Sequence, residues 1–409
     1  MIGHDPNKFR FPWRDGNQFR LLIDGEQFYP AMLEAINTAH ASVFLEMYLF
    51  TSGVVATTFI DALIAAAGRG ATVCVLLDDF GAGGLNKNDR QRLRRDGVRL
   101  RFYNPLQHLR ITKLHHHLSR DHRKLLMVDG QVAYTGGAGI TDDFARDVDV
   151  GDNPRRHWRE TMIEIRGPLL ADWLSLFLEN WEYSAREVLV VNTPPTLAAP
   201  VALAVGRSRH PASLHVVGTQ RGRVTIAQGA AHVEVKSSFV NHARNAQKRI
   251  WVATAYFVPS WKIRRALRVA ARRGVDVRLL LPGPHTDHPA IRHAGRRFYY
   301  GLLRHGVQIF EYQPRFTHAK VSLCDNWASV GSSNIDRWNL YWNLEANQEV
   351  DDAPFASQVR QMFEADFALS REYRLDEWRA RPWYYRLQEW FWGGVDAAMS
   401  RLIKHKEKD

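Results

Sequence analysis

His122-Arg123-Lys124-Leu125-Leu126-Met127-Val128-Asp129-Gly130 and His318-Ala319-Lys320-Val321-Ser322-Leu323-Cys324-Asp325-Asn326 both run His-x-Lys, four residues, Asp. On a β-strand residues i and i+2 share a face, so each His projects beside its Lys, and the apolar run that follows anchors the strand. Asp129-Gly130 and Asp325-Asn326 are turn sequences and mark the strand ends. Return strands follow at 132–135 and 327–330. They close in the small residues Gly136-Gly137-Ala138-Gly139 and Gly331-Ser332-Ser333-Asn334. Such residues let the backbone and the Asn334 amide approach a bound oxyanion closely, which makes Gly136, Gly137, Ser332 and Ser333 candidates for substrate binding. One His-x-Lys is a weak signal. Two, at equivalent points of a duplicated chain, are a strong one.

The duplication extends upstream of each motif. The β-rich run Ala41-Ser42-Val43-Phe44-Leu45-Glu46-Met47-Tyr48-Leu49-Phe50 matches Lys248-Arg249-Ile250-Trp251-Val252-Ala253-Thr254-Ala255-Tyr256-Phe257. Each is followed by a helical stretch stopped by a glycine, Gly70 or Gly274, and then by a second strand, 71–77 or 275–281. A third pair of strands surrounds Val98-Arg99-Leu100-Arg101-Phe102 and Val307-Gln308-Ile309-Phe310-Glu311. Alternating strands and helices predict an α/β fold, each half a β-sheet flanked by helices. The expected boundaries are a first half at 1–192, a Pro/Ala/Gly/Arg-rich linker at 193–223, a second half at 224–375 and a carboxyl-terminal segment at 376–409.

Composition narrows the class. The chain has 409 residues, enough for two domains, and 45% are hydrophobic. Two cysteines, Cys74 and Cys324, each in an apolar run, give neither a disulfide framework nor a zinc site and predict a reducing compartment. Met1–Asp5 does not open a secretory signal, and no window is apolar enough to span a bilayer. The net charge of +12 points to an anionic partner, either nucleic acid or an anionic membrane.

The residue types suit phosphoryl chemistry. One imidazole is able to attack phosphorus and form a phosphohistidine. The other protonates the departing alcohol and deprotonates the incoming one. Lys124, Lys320 and Asn334 neutralise the non-bridging oxygens, so no metal or other cofactor is expected. A nucleophilic imidazole needs its far nitrogen oriented by a carboxylate, and Glu345 and Glu160 are the candidates. His115-His116-His117 reads as a basic loop rather than a metal site, because consecutive side chains do not converge readily on one ion.

These residues resemble the phospholipase D superfamily and its HKD motif, and within it the short bacterial cardiolipin synthases. The similarity runs from about Asp15 to about residue 370, and is most specific at Val330-Gly331-Ser332-Ser333-Asn334-Ile335-Asp336 and Asn343-Leu344-Glu345-Ala346-Asn347. The resemblance implies two phospholipase D-like α/β halves, each a mixed sheet, sharing one active site at their interface. It implies His122, Lys124, Asp129, His318, Lys320, Asp325 and Asn334 as catalytic positions, with Glu160 and Glu345 orienting the imidazoles. It further implies transfer of a phosphatidyl group between phosphatidylglycerol molecules, with His122 as nucleophile. One departure stands out: Gly139 occupies the position where the family has Asn, so one phosphate contact is expected to be missing in the first half. The Trp/Arg-rich carboxyl-terminal segment, with Trp383, Arg386, Trp390, Phe391 and Trp392, has the composition of a membrane-interface helix. A peripheral protein on the cytoplasmic side of the bacterial inner membrane is expected, without a nucleic acid partner. Rival readings are a phospholipase D hydrolase, a nuclease of the same superfamily and an inactive membrane-binding protein.

Overall fold

The computed structural model of the protein describes residues 9–105, 119–145, 157–189, 217–228, 232–336 and 343–382. The His115–His117 loop, most of the 193–223 segment and the membrane-interface residues from Trp383 onward lie outside these.

The first half runs β1 (Arg14–Ile23), α1 (Gly25–Asn37), β2 (Ser42–Met47), α2 (Val54–Gly68), β3 (Thr72–Asp78), α3 (Lys87–Arg95), β4 (Arg99–Tyr103), β5 (Lys124–Val128), β6 (Val132–Gly136), β7 (Thr161–Arg166) and α4 (Leu170–Ala185). The second runs β8 (Gln220–Gln228), β9 (His232–Val233), α5 (Glu234–Asn245), β10 (Arg249–Ala253), α6 (Trp261–Arg272), β11 (Asp276–Pro282), α7 (Pro289–Arg296), α8 (Tyr299–Leu303), β12 (Gln308–Tyr312), β13 (Val321–Cys324), β14 (Trp327–Gly331), β15 (Leu344–Asp351), α9 (Ala353–Ala368), β16 (Ser370–Tyr373) and α10 (Leu375–Ala380). Residues 220–223 therefore open a strand instead of belonging to a connection.

The two halves repeat one strand order. From the seam outward the first reads β1-β7-β6-β5-β2-β3-β4 and the second β8-β15-β14-β13-β10-β11-β12, with β16 added at the edge. In each half β2/β3/β4 or β10/β11/β12 pair in parallel and the strands nearer the seam are antiparallel. Antiparallel pairing of β1 with β8 joins them into one mixed sheet.

Alternation along the strands feeds two layers. Val43, Leu45 and Met47 of β2 enter a core peculiar to the first half, whereas Phe44 points to the opposite face. Ile250 and Val252 of β10 likewise enter a core peculiar to the second half, and Trp251 and Ala253 point the other way. Those opposite faces form one continuous core that spans both halves and takes in Trp173, Phe177 and Trp181 of α4 and Phe355, Met362 and Phe363 of α9. Gly70 (φ +94°) and Gly274 (φ +88°) follow α2 and α6 in the left-handed conformation that terminates a helix. Both cysteines are buried and unpaired. Trp378, placed by composition in the carboxyl-terminal interfacial segment, is instead buried against Tyr299 and Tyr373 in the second-half core. The short α10 offers one aromatic face, and that face is used inward.

The motif aspartates lie at the far ends of the motif strands, where they bind backbone N–H groups of the frame. Asp129 accepts backbone N–H bonds from His40, Ala41 and Ser42 at 2.9, 2.9 and 2.7 Å. Asp325 accepts them from Gln247, Lys248 and Arg249 at 2.8, 2.9 and 2.9 Å. Each carboxylate fastens the far end of the motif strand to the start of its antiparallel neighbour, on the order of 16 Å from the motif lysine by strand rise. Burial pushes the Asp325 carboxyl up, but the three N–H donors outweigh it and leave the group below the usual carboxylate range. Asp325→Ala is expected to lower the unfolding free energy by about 1–3 kcal/mol while leaving turnover per folded molecule close to that of the unaltered chain. Chemical denaturation beside an activity assay checks both. Unchanged stability with lost turnover would return Asp325 to the chemistry.

Candidate functional site

The site is assembled across the seam. His122 lies just before β5, and its N–H donates to the Leu344 carbonyl at 2.9 Å, while Leu344 N–H donates to the Arg120 carbonyl at 2.8 Å. This short parallel bridge sets the next residue, Glu345, against the imidazole, with Nδ1 2.9 Å from Oε1 and 3.1 Å from Oε2. The second copy mirrors it. His318 N–H donates to the Arg159 carbonyl at 2.7 Å and Arg159 N–H to the Phe316 carbonyl at 2.8 Å. Glu160, the next residue, sits with Oε2 2.6 Å from His318 Nδ1. Each half thus supplies the carboxylate for the other half's imidazole.

The lysines lie beneath the histidines. Lys124 Nζ donates to the His122 carbonyl at 2.7 Å and lies 5.0 Å from the centre of the Tyr48 ring. Lys320 Nζ donates to the His318 carbonyl and lies 3.7 Å from Glu160 Oε2. Both ammonium groups are almost fully buried. Burial, reinforced by repulsion from Lys320 and resisted by Glu345, pushes Lys124 down to about 7. Lys320 is lowered for the same first reason. Burial and the neighbouring lysines hold both imidazoles well below their ordinary value. Burial also raises the carboxyls, Glu160 to about 7 and Glu345 to about 8. Burial thus disfavours the charged form of every one of these groups, and a bound oxyanion would favour the protonated lysines and imidazoles.

The small residues after the return strands have separate uses. Gly137 makes room for a carboxylate, since a Cβ there would lie 2.2 Å from Glu160 Oε2. Its counterpart Ser332 donates to Glu345 Oε2, and Ser332 Oγ accepts from Ala346 N–H at 3.1 Å. Gly136 ends β6 and Ser333 N–H donates to Asn347 Oδ1 at 3.2 Å. Asn334 is fully buried. Its Oδ1 accepts from Thr254 Oγ1 at 3.2 Å, and among the described residues its Nδ2 has no partner. Such an unsatisfied donor suits an anionic oxygen. At Gly139 the departure from the family pattern has a steric cause: a Cβ would lie 2.7 Å from both the carbonyl oxygen and the Cβ of Leu49.

Several neighbours were not singled out from sequence. Tyr48 meets the His122 ring edge-on at 4.8 Å. Trp158, Phe144 and Phe316 surround His318 at 5.1, 5.8 and 5.7 Å. Under His122 lies a buried polar network. Asn180 Nδ2 donates to Glu46 and Asp121, both at 2.8 Å, and Arg123 lies 3.3 Å from Glu46 and 3.5 Å from Asp121. The second half has Ala319 at the place of Arg123, and Ala253 faces Val321 where Glu46 faces Leu125. The signals were an Arg inside the first motif and a Glu inside an otherwise apolar strand. The two halves are further tied by Arg159 on Asp366 at 3.0 and 3.1 Å, and by Arg315 on Asp24.

Residues 32–177 and 239–367 match the family model described as "Cardiolipin synthase, PLD-like domain". Cardiolipin synthase A of Pseudomonas fluorescens is 30% identical over 94% of this chain and 75% of its own length. Cardiolipin synthase B of Salmonella typhimurium is 32% identical over 85% of this chain and 80% of its own. The crystal structure of phosphatidylserine synthase from Haemophilus influenzae superposes with a TM-score of 0.69 over 97% of both chains at 15% identity, a likeness of fold.

The steric reading of Gly139 predicts that Gly139→Asn, which restores the family residue, costs about 1–3 kcal/mol by overpacking and does not raise turnover. A variant of unaltered denaturation midpoint and higher rate would contradict it. A second expectation follows from Lys124. Its ammonium is charged below about 7 and neutral above, so sulfate affinity should be high near about pH 6 and fall as pH rises through that value. Calorimetric titrations finding the same affinity up to about pH 9 would refute this.

Proposed function

The chain belongs to the cardiolipin synthase family of phospholipase D-like proteins, and from that premise we propose that it transfers the phosphatidyl group of one phosphatidylglycerol to a head-group hydroxyl of another, giving cardiolipin and glycerol. The observation that carries the proposal is the convergence of two His-x-Lys pairs, each imidazole held through Nδ1 by the opposite half's glutamate.

With Nδ1 occupied by a carboxylate, the Nε2 lone pair of His122 is free to attack phosphorus. The phosphorus–oxygen bond to glycerol breaks as His318 gives its Nε2 proton to the departing oxygen. The Glu160 contact, with Glu160 raised to about 7, supports a pair able to hold and release that proton near neutral pH. The second phosphatidylglycerol then enters. His318 takes the proton of its hydroxyl, the new oxygen–phosphorus bond forms, and the bond to His122 breaks. Lys124, Lys320 and Asn334 are the groups for the non-bridging oxygens in both steps. The first-half network of Asp121, Arg123, Glu46 and Asn180 supports His122 as nucleophile, since it braces that segment alone. One diester replaces another, so no nucleotide enters.

The substrate places the protein at an anionic lipid surface, peripherally and on the cytoplasmic side of a bacterial inner membrane. No helix among the described residues is long and apolar enough to cross a bilayer. The net charge of +12 suits anionic lipid, and Trp383, Arg386, Trp390, Phe391 and Trp392 are proposed for the interface.

The test is product analysis by mass spectrometry with phosphatidylglycerol in mixed micelles. Cardiolipin and glycerol should appear in equal amounts, and His122→Ala should lower the rate by roughly a thousandfold or more. Phosphatidic acid without cardiolipin would replace the proposal by a hydrolase, and turnover undiminished in His122→Ala would remove the nucleophile.

A further inference from the structure

The mouths of the site differ on its two sides. Near His122, Arg120 lies over the exposed Phe80 at 5.6 Å. The nearby Asp78 is buried and already accepts from the backbone N–H groups of Phe80, Gly81 and Asp121. Near His318 the loop between β11 and α7 brings a carboxylate instead. Tyr256 meets the His318 ring edge-on at 6.4 Å, and its hydroxyl donates to Asp287 Oδ2 at 2.5 Å. The Asp287 side chain stays partly open, with 22% exposure, and His288 Nε2 lies 3.7 Å from its Oδ2. Asp287 is close enough for its charge to favour the protonated forms of both His318 and Lys320. Among the described residues its Oδ1 has only a long contact, 3.4 Å from Thr286 Oγ1.

A carboxylate beside an anion-binding site repels a phosphate and accepts from hydroxyls. We propose that Asp287, oriented by Tyr256, is a hydroxyl-binding subsite that accepts a hydrogen bond from the second hydroxyl of a vicinal-diol head group while the neighbouring hydroxyl oxygen stands at His318 Nε2. The inference rests on the phosphatidyl-transfer reading and extends it to how the alcohol is chosen. Both the glycerol that leaves and the glycerol head group that enters present this diol. Water and simple alcohols do not. The orphan Asn334 amide and the lysines then serve the phosphate while the carboxylate serves the alcohol, so the two sides of the site sort a substrate by charge. Asp287 is a specificity residue here, and the bonds made and broken remain those at His122.

The test uses phosphatidylglycerol in mixed micelles with equal concentrations of 1,2-propanediol and 1-propanol as competing soluble acceptors. The ratio of the two phosphatidyl alcohols is read by mass spectrometry, with phosphatidic acid followed alongside. A product ratio does not depend on how much enzyme is folded. The unaltered chain should prefer the diol by about tenfold or more, the scale of one hydrogen bond to a charged group. Asp287→Ala should bring the ratio close to one and raise the share of phosphatidic acid, and Tyr256→Phe should move it part of the way. An unaltered chain without diol preference, or an Asp287→Ala variant that keeps the full preference, overturns the subsite and leaves the transferase reading standing. Cardiolipin formed without either phosphatidyl alcohol also overturns the subsite, and phosphatidic acid alone, with neither cardiolipin nor a phosphatidyl alcohol, overturns both.

Discussion

Everything in the site depends on two hydrogen bonds that cross between the halves, Glu345 to His122 and Glu160 to His318. Neither half holds a complete histidine–carboxylate pair. The backbone makes the exchange geometric rather than incidental: each motif strand lays one short parallel bridge on the opposite half's strand, one residue before the glutamate. The β1–β8 pairing and the Arg159–Asp366 ion pair hold the halves in the register this needs. Breaking a buried ion pair of that kind by removing one partner typically costs about 3–5 kcal/mol. A loosened seam would therefore be felt first as disoriented imidazoles. The shared core that runs through both halves under α4 and α9 resists such loosening.

On this symmetric frame the chemistry needs an asymmetric outcome, since one imidazole bonds phosphorus while the other moves protons. The asymmetry is present in the side chains. His122 rests on Asp121, Arg123, Glu46 and Asn180, and His318 rests among Trp158, Phe144 and Phe316. Burial pushes Glu46 well above the carboxylate range despite Arg123, so the network is a desolvated polar brace that only a fixed geometry repays. The aromatic rings around His318 suit the water exclusion that the proposed proton transfer needs. Such exclusion matters for an enzyme that must pass its phosphatidyl group to an alcohol in preference to water.

Much of this was legible in the amino-acid order, because the duplicated pattern is local. Strand alternation, helix stops at Gly70 and Gly274 and the spacing within each motif are all read over a few residues. His122 does meet Glu345, His318 meets Glu160, and each motif lysine lies against its own histidine. The illegible part is what depends on distant contacts. Nothing near Glu160 reveals that it serves the second half's histidine. The motif aspartates share their motif with catalytic-looking neighbours, yet strand rise carries them to the other end of the sheet, where they clamp backbone N–H groups. Gly139 reads as a lost phosphate contact until the Leu49 carbonyl is seen to fill the space an Asn would need. Trp378 looks interfacial by composition and packs inward because Tyr299 and Tyr373 offer it a partner surface.

One shared site in which the halves divide the labour makes a claim about a single covalent bond. The most direct test removes the proton-transferring histidine and looks for the stalled intermediate. His318→Ala would be mixed with phosphatidylglycerol, quenched, digested and mapped by mass spectrometry. A phosphatidyl adduct on the peptide bearing His122 is predicted, absent when Glu345 is also changed to Gln. Lipid turnover in His318→Ala at the unaltered rate, or an adduct on any residue other than His122, would contradict the account.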